Sequence, residues 1–331
     1  MSSTTPALER PAESPARRRM PGPDGLVWTV LRLHRTAMWV WTAYVAISAG
    51  LLLWLWGPGA NAAQKAFDAF GYSGAQENAY TDGFSFLGFG GSFDSRFYGP
   101  SSLIGIASCA IAVFAAGPLI ARELERGTAG LAWTQSVSPA RWLTAKLAVP
   151  AVFVAVGTGL LVVLYRLVWN AHNHLLVAGI GPRSFAFSLG PATVANALFG
   201  LAVGVLAALV LRRTLPALAA AGVVQFLAGA MRGNNWPFQH SPFSRLQPEL
   251  PVYGKAITST GAKVSDPGCY LSQKCLDRHH ITGFTRSYLP SPDYWPRQLA
   301  ETGVLLGLTA LAVATAFLVL RRYQPKKEAA A

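Results

Sequence analysis

The chain has few charged side chains for its length. Only 13% of its 331 residues are Asp, Glu, Lys or Arg, whereas soluble domains contain about 25%. Hydrophobic residues make up 52% of the chain. This composition argues against an ordinary water-soluble domain, because too little charged surface is available to face water.

Charged residues are absent from six long apolar segments. These segments lie at 36–57, 102–120, 147–165, 191–211, 214–231 and 302–320. Each has close to the ~20 residues that a helix needs to cross about 30 Å of hydrocarbon. Because the bilayer interior offers no partner for an unpaired peptide group, each segment is predicted to be helical. The predicted fold class is therefore an all-α integral membrane protein with six transmembrane helices.

The chain also lacks the short signatures of several enzyme classes. The phosphate-binding pattern Gly-x-x-x-x-Gly-Lys-Ser/Thr is missing, as are the patterns Gly-x-Ser-x-Gly and His-Glu-x-x-His. Two histidine pairs, His172 with His174 and His279 with His280, have no Cys or acidic residue at a recognisable ligand spacing, which favours ordinary interfacial histidines over a metal site. The sequence therefore predicts no enzyme activity, no bound cofactor and no metal site.

Acidic, basic and histidine side chains are missing from the interior of the apolar segments. Arg166 and Glu301 come closest, and both lie at the ends of segments. A proton-coupled carrier needs an ionisable group away from bulk water, so this absence disfavours a secondary transporter. It also predicts that any path for a cargo has apolar and weakly polar walls, suited to lipid-like compounds.

The positive charge is distributed unequally between the two sides of the membrane. The net charge is +13, and basic residues gather before the first segment, between the second and third, between the fourth and fifth, and after the sixth: Arg17, Arg18, Arg19, Arg32, Arg35, Arg122, Arg126, Arg141, Lys146, Arg212, Arg213, Arg321, Arg322, Lys326 and Lys327. This alternation follows the positive-inside rule. It predicts a multi-pass protein of the cell membrane with both termini in the cytoplasm, and not a nucleic-acid-binding protein.

The polar segments suggest a division of the chain. Residues 1–23 are predicted to be a disordered cytoplasmic leader, because they have almost no apolar side chains to bury, and no cleavable signal is evident there. Residues 24–35 fit either an interfacial helix or a cytoplasmic extension of the first transmembrane helix. The remaining parts are outer loops at 58–101, 166–190 and 232–301, an inner loop at 121–146 and a cytoplasmic tail at 321–331.

Cysteine is scarce, with three in the whole chain. Cys269 and Cys275 both lie in the last outer loop, where the compartment permits oxidation. A disulfide between them is the prediction, and two free thiols are the alternative. Cys109 lies within the second apolar segment.

The inner loop differs in composition from the other loops. It belongs to the stretch ARELERGTAGLAWTQSVSPARWLTAKL, residues 121–147. Gly127 and Thr128 can end one helix and begin the next, and a turn is expected at Ser138 and Pro139. Leu131 and Trp133 offer apolar surface. Such a segment can dock against a partner protein, although a solvated connector is the simpler alternative.

This stretch resembles the loop after the second transmembrane helix in permease subunits of ABC-2 type ABC transporters. The resemblance lies in Glu123, Glu125, Gly127, Thr128, Thr134, Gln135, Ser138, Arg141 and Lys146. The family often has Pro-Val-Ser-Arg where this chain has SVSPAR at 136–141, which displaces the basic residue by two positions. The row DGLVWTVLRLHR at 24–35 resembles permeases of this family from high-GC Gram-positive bacteria.

The resemblance implies an ABC-2, or type V exporter-like, bundle with a large outer loop between helices 5 and 6. A separate ABC ATPase subunit would bind the ATP, and a second permease protomer, identical or related, would complete the transporter within membrane lipid. Contact with the ATPase would fall on Glu123, Glu125, Gly127, Thr128, Thr134, Gln135 and Arg141. Two alternatives stay open: an ATP-independent secondary transporter or channel, and a non-transporting membrane sensor or scaffold.

Overall fold

The computed structural model describes residues 25–69, 93–134, 137–175, 185, 187–233, 244–247, 255–265, 273–287 and 291–322. Among these residues, six helices are long and apolar enough to cross a membrane, and we call them spans 1 to 6: Arg35–Lys65, Arg96–Glu125, Pro139–Leu175, Ala192–Leu211, Thr214–Arg232 and Tyr294–Arg321. The prediction of an all-α, six-span membrane protein is confirmed. The leader at 1–23 lies outside the described residues.

A short helix precedes span 1. Helix α1 (Gly25–Leu33) is separated from α2 (Arg35–Trp54) by His34, whose backbone leaves the helical conformation. Helix α1 packs against the helix of span 3, and its Val30 is buried. Residues 25–33 thus form a separate helix that rests on the bundle.

Spans 1 and 2 each contain a π-helical segment around a proline. In span 1, Leu55–Gly59 contains Pro58 and leads into α3 (Ala60–Ala69). In span 2, α4 (Phe93–Phe114) is followed by Ala115–Ala121, which contains Pro118. Proline has no N–H and its ring crowds the preceding turn, and the wider π turn accommodates both effects. Span 2 therefore continues as a helix through α5 (Arg122–Glu125) into the inner segment.

Span 3 is longer than the apolar run 147–165. Helix α7 (Pro139–His172) has 34 residues, which corresponds to roughly 50 Å at 1.5 Å per residue and exceeds the hydrocarbon thickness. Its start follows ordinary capping rules, because the Ser138 side chain accepts a hydrogen bond from the Arg141 N–H and Pro139 occupies the first turn. The extra turns place Lys146 within the helix.

Span 4 lies at the centre of the bundle. Helix α8 (Ala192–Leu211) contacts α4, α7, α9 (Thr214–Gly233) and α11 (Ser291–Arg321). A Cβ atom added to Gly200 would lie 2.6 Å from the Ser108 carbonyl oxygen, and one added to Gly204 would lie 2.3 Å from that of Ala112. Glycines at this spacing allow two helices to approach closely. We call this contact the span 2–span 4 seam.

The chain between spans 5 and 6 contains an antiparallel sheet that the sequence did not predict. Strands β1 (Ser244–Gln247), β2 (Lys255–Thr258), β3 (Lys263–Ser265) and β4 (Ile281–Ser287) pair in the order β1-β4-β2-β3. These strands are too short to give a clear alternating pattern.

A short helix, α10 (Gln273–Arg278), precedes β4 and contains Cys275. Cys275 is disulfide-bonded, whereas Cys109 is free. Cys269 lies outside the described residues, so its pairing with Cys275 stays a prediction.

Charged residues at the end of the bundle near this sheet are held by specific partners. Arg232 at the end of span 5 forms an ion pair with Glu301 of α11. The Arg166 guanidinium lies 4.1 Å from the centroid of the Trp295 ring and donates a hydrogen bond to the Leu189 carbonyl at 3.2 Å. Arg166 and Glu301 therefore both have specific partners.

Candidate functional site

The inner segment, residues 122–138, folds as two short helices around a glycine. Helix α5 ends before Gly127, and α6 (Thr128–Thr134) follows it. Gly127 has a φ of +71°, and its N–H donates to the Leu124 carbonyl at 3.2 Å. Because a side chain in this left-handed conformation is strained, glycine suits the junction.

A buried lysine fixes the start of this segment. Lys146 is 2% exposed. Its ammonium group donates to the Leu119 carbonyl at 2.9 Å and to Glu123 Oε1 at 2.5 Å, and it lies 3.3 Å from His34 Nε2. An ammonium group has three N–H donors, so these three acceptors satisfy it completely. We call Lys146, Glu123, His34 and the Leu119 carbonyl the Lys146 joint.

The joint connects parts of the chain that are far apart in sequence. His34 links α1 to span 1, Leu119 belongs to the π-helical segment of span 2, and Lys146 belongs to span 3. Glu123 is on α5, the first helix of the inner segment. Removal of one partner from a buried ion pair typically costs about 3–5 kcal/mol, because the remaining charge is left uncompensated. The inner segment is therefore attached to span 3 through Glu123, and the same lysine also binds the Leu119 carbonyl of span 2.

The imidazole of His34 is neutral at physiological pH. Burial, together with the positive charge of Lys146, lowers the pKa of His34 from 6.5 to about 4. The neutral ring can accept the hydrogen bond from Lys146 through Nε2. Its edge also contacts the Phe114 ring, with 6.0 Å between the ring centroids.

A second attachment joins the inner segment to span 5. The Glu125 carboxylate accepts hydrogen bonds from both the backbone N–H and the hydroxyl of Thr214. Thr214 is the first residue of α9. A carboxylate is favoured at this position, because the N-terminus of a helix has free N–H groups and a partial positive charge.

Helix α6 has one face on the bundle and one face exposed. Trp133 packs edge-on against Trp142 of α7, with 5.6 Å between ring centroids, and Ala129 is 1% exposed. Leu131 on the other side is 63% exposed. Arg126 is also exposed. The inner segment therefore exposes both an apolar and a basic side chain.

The residues that the resemblance singled out have different positions. Glu123 is paired with the buried Lys146, the exposed Glu125 is bonded to Thr214, and Gly127 forms the turn between the helices. Thr128 Oγ1 donates to the Glu123 carbonyl and Thr134 Oγ1 to the Leu131 carbonyl, while Arg141 is exposed at the start of α7. Gln135 lies outside the described residues.

Sequence reasoning missed His34, Thr214 and the partners of Lys146. One signal for the lysine was available. Trp142, Lys146 and Pro150 recur every four residues, and all three are buried on one face of α7. This periodicity places Lys146 on the apolar face of a helix. The identity of its partners depends on tertiary structure.

The comparisons with known proteins agree with this architecture. Residues 74–232 match the family model described as ABC-2 membrane transporter related. The matched region includes spans 2 to 5 and the whole inner segment. No curated protein and no solved structure matches the chain. Together with the six spans, this match supports an ABC-2 type permease, which is a membrane component of ABC transporters.

Proposed function

We propose that this permease is the membrane subunit of an ATP-driven exporter. A separate ATPase binds the inner segment, and nucleotide-dependent movement of that ATPase is transmitted to the spans. A second permease protomer completes the transporter. The inner segment and both termini face the cytoplasm.

One observation carries this proposal: the inner segment is attached to the bundle at two charged sites. Glu123 is bonded to Lys146 of span 3, and Glu125 is bonded to Thr214 of span 5. A force on a flexible connector would be lost in bending of the connector. A force on a segment held in this way displaces the spans, as an alternating-access mechanism with two states of similar free energy requires.

The exposed face of the segment suits a protein partner. Leu131 and Arg126 lie on it, and arginine is enriched at protein interfaces. Arg212 and Arg213 separate spans 4 and 5, and Arg321 ends span 6, so all three lie at the same end of the spans as the inner segment. A cytoplasmic position for the inner segment therefore agrees with the positive-inside rule. The same distribution supports the cytoplasmic placement of both termini.

The proposal is tested with an ATPase subunit encoded beside this chain. An affinity-tagged permease should capture the ATPase from co-expressing membranes and stimulate its ATP hydrolysis in liposomes. Leu131→Asp should reduce both signals at least tenfold, because a charge replaces the apolar contact. Thr144→Asp, on an exposed position of α7 outside the inner segment, is the matched control and should leave both signals unchanged.

Two outcomes would contradict the proposal. If the Leu131→Asp variant captured as much ATPase as the wild-type permease does, the ATPase would not dock on α6. Transport by the purified permease in vesicles without any ATPase would instead favour the secondary transporter or channel.

A further inference from the structure

An apolar groove lies between spans 1, 2 and 3. It has a volume of about 510 Å³, and its walls include His34, Val40, Trp41, Ala110, Phe114 and Phe153. His34 is at one end of the groove and also belongs to the Lys146 joint. The volume falls in the range of ~300–1,000 Å³ that is typical of small-molecule sites.

The groove exists because span 1 packs more extensively on span 3 than on span 2. Trp41 lies against Gly157 of span 3, where an added Cβ atom would be only 2.7 Å from the indole nitrogen. The indole N–H donates to the Phe153 carbonyl at 3.0 Å. On the opposite wall, span 2 presents the small side chains Ala107 and Ala110. Because span 1 is held against span 3, the small side chains of span 2 leave an open space between the three spans.

The polar atoms of the wall residues are directed to the protein. The Trp41 N–H is bonded to Phe153, the Tyr44 hydroxyl donates to the Leu103 carbonyl, and His34 Nε2 is next to Lys146. The rings of Trp41 and Tyr44 are stacked, with 5.6 Å between centroids. The groove therefore offers ring faces and methyl groups, which suit a hydrocarbon chain and hold water poorly.

Two basic residues lie close in the chain to His34, which lines the groove. Arg32 is two residues before His34 and Arg35 is the residue after it, and both are exposed. Glu123, the acidic residue of the joint, is already paired with Lys146. Basic side chains next to the membrane surface attract anionic head groups. A ligand with an apolar chain and an anionic head complements both parts of this site.

We propose that the groove binds an anionic amphiphile from the adjacent leaflet, with its alkyl chain along Trp41 and Phe153 and its head group at Arg32 and Arg35. This site goes beyond the proposed function, because binding there requires neither ATP nor an ATPase. Its contact with His34 places the bound chain directly beside the Lys146 joint.

Photo-crosslinking of the full chain in nanodiscs tests this site. The probe is phosphatidylglycerol with a photoreactive diazirine on one acyl chain, diluted in phosphatidylcholine. Mass spectrometry should find labelling at 37–44 and 107–114 several-fold above that at lipid-facing positions elsewhere, such as Val156 and Val224.

Paired variants and a second probe separate specific binding from general lipid contact. Ala110→Trp fills the groove from an exposed wall position and should reduce the labelling of 37–44 at least threefold. Ile106→Trp, one turn earlier on the same helix and 63% exposed outside the groove, should leave it unchanged. A phosphatidylcholine probe with the same acyl chain should label the groove several-fold less.

Three results would overturn the proposal. Uniform labelling of all lipid-facing helices, insensitive to Ala110→Trp, would indicate surrounding lipid only. Equal labelling by both probes would remove the role of the anionic head. A disulfide between two copies carrying Val40→Cys and Cys109→Ala would show that a second copy covers the groove. None of these measurements involves ATP, so they leave the exporter proposal to its own test.

Discussion

The span 2–span 4 seam and the Lys146 joint hold the bundle by opposite physical means. At the seam, Gly200 and Gly204 bring two backbones into contact without any charged group. At the joint, a buried ammonium and a carboxylate compensate each other across span 3 and α5. Both contacts involve span 2, the first through its middle and the second through its inner end.

The two contacts differ in the substitutions that they tolerate. Close backbone packing has one favourable geometry, since interiors are dense and any added atom causes a clash. A buried ion pair also depends on geometry, but its two partners can be replaced together by apolar groups at little cost. A loss of stability at the joint should therefore be recoverable by a second substitution, whereas a loss at the seam should not.

The largest expected effect separates single from double substitution at the joint. Lys146→Met leaves Glu123 without its partner and should lower the free energy of unfolding by about 3–5 kcal/mol. The double variant Lys146→Met with Glu123→Met should recover most of this loss. Unfolding by SDS titration in micelles measures both. A double variant as unstable as the single one would show that the lysine acts mainly through the Leu119 carbonyl.

The next largest effect is expected at the span 2–span 4 seam, where no second substitution should restore the stability lost in the first. In Gly204→Ala the new methyl group would lie 2.3 Å from a backbone oxygen and 2.9 Å from the backbone nitrogen of Ala116. The helices must separate, which should lower the free energy of unfolding by about 1–3 kcal/mol. Gly159→Ala is the control, since nothing lies within 4 Å of its added Cβ atom. Equal stability of the two variants in SDS titration would show that close packing at Gly204 does not stabilise the bundle.

A smaller effect is expected at the turn of the inner segment. Gly127→Ala forces a side chain into the left-handed region and should cost about 1–2 kcal/mol. The strain should appear as faster amide hydrogen exchange at 122–134, with little change in the spans. Gly130→Ala is the matched control, because it lies in α6 with open space around it and no positive φ. Faster exchange in the control instead of the Gly127 variant would contradict this account.

The last expected effect is a pH dependence carried by His34. Its pKa is about 4 in the folded protein and 6.5 when unperturbed, so the unfolded chain binds the extra proton first as pH falls. Stability should therefore decrease from pH 6.5 towards pH 4. Thermal unfolding in micelles at pH 7.5 and 5 measures the decrease, which should be smaller in His34→Gln. An unchanged pH dependence in that variant would assign the effect to other groups.

Parts of this architecture could be predicted because they depend on local composition. Runs without charge identify the six spans, since crossing hydrocarbon excludes unpaired charges whatever the neighbours are. The break at Gly127 and Thr128 was also readable, because glycine and threonine have their own conformational preferences. The length of span 3 could not be predicted in this way, because Lys146 precedes the apolar run as a charged residue. The helix can bury this lysine only because Lys146 is paired with Glu123.

The position of the apolar groove also could not be predicted from composition. Span 2 has alanines on more than one face, and composition alone treats these faces alike. Ala112 meets the glycine face of span 4, whereas Ala110 faces the groove. The position of span 1, set by Trp41 against Gly157, decides which face is left open.

The number of membrane crossings, the alternation of basic charge along the chain and the break in the inner segment are encoded locally in the sequence. These features follow from burial of apolar residues in lipid and from backbone preferences of single residues. The contacts of Lys146 with Glu123 and His34, the contact of Glu125 with Thr214 and the groove between spans 1, 2 and 3 depend on tertiary structure. Such contacts depend on how helices distant in sequence pack, which local patterns do not encode.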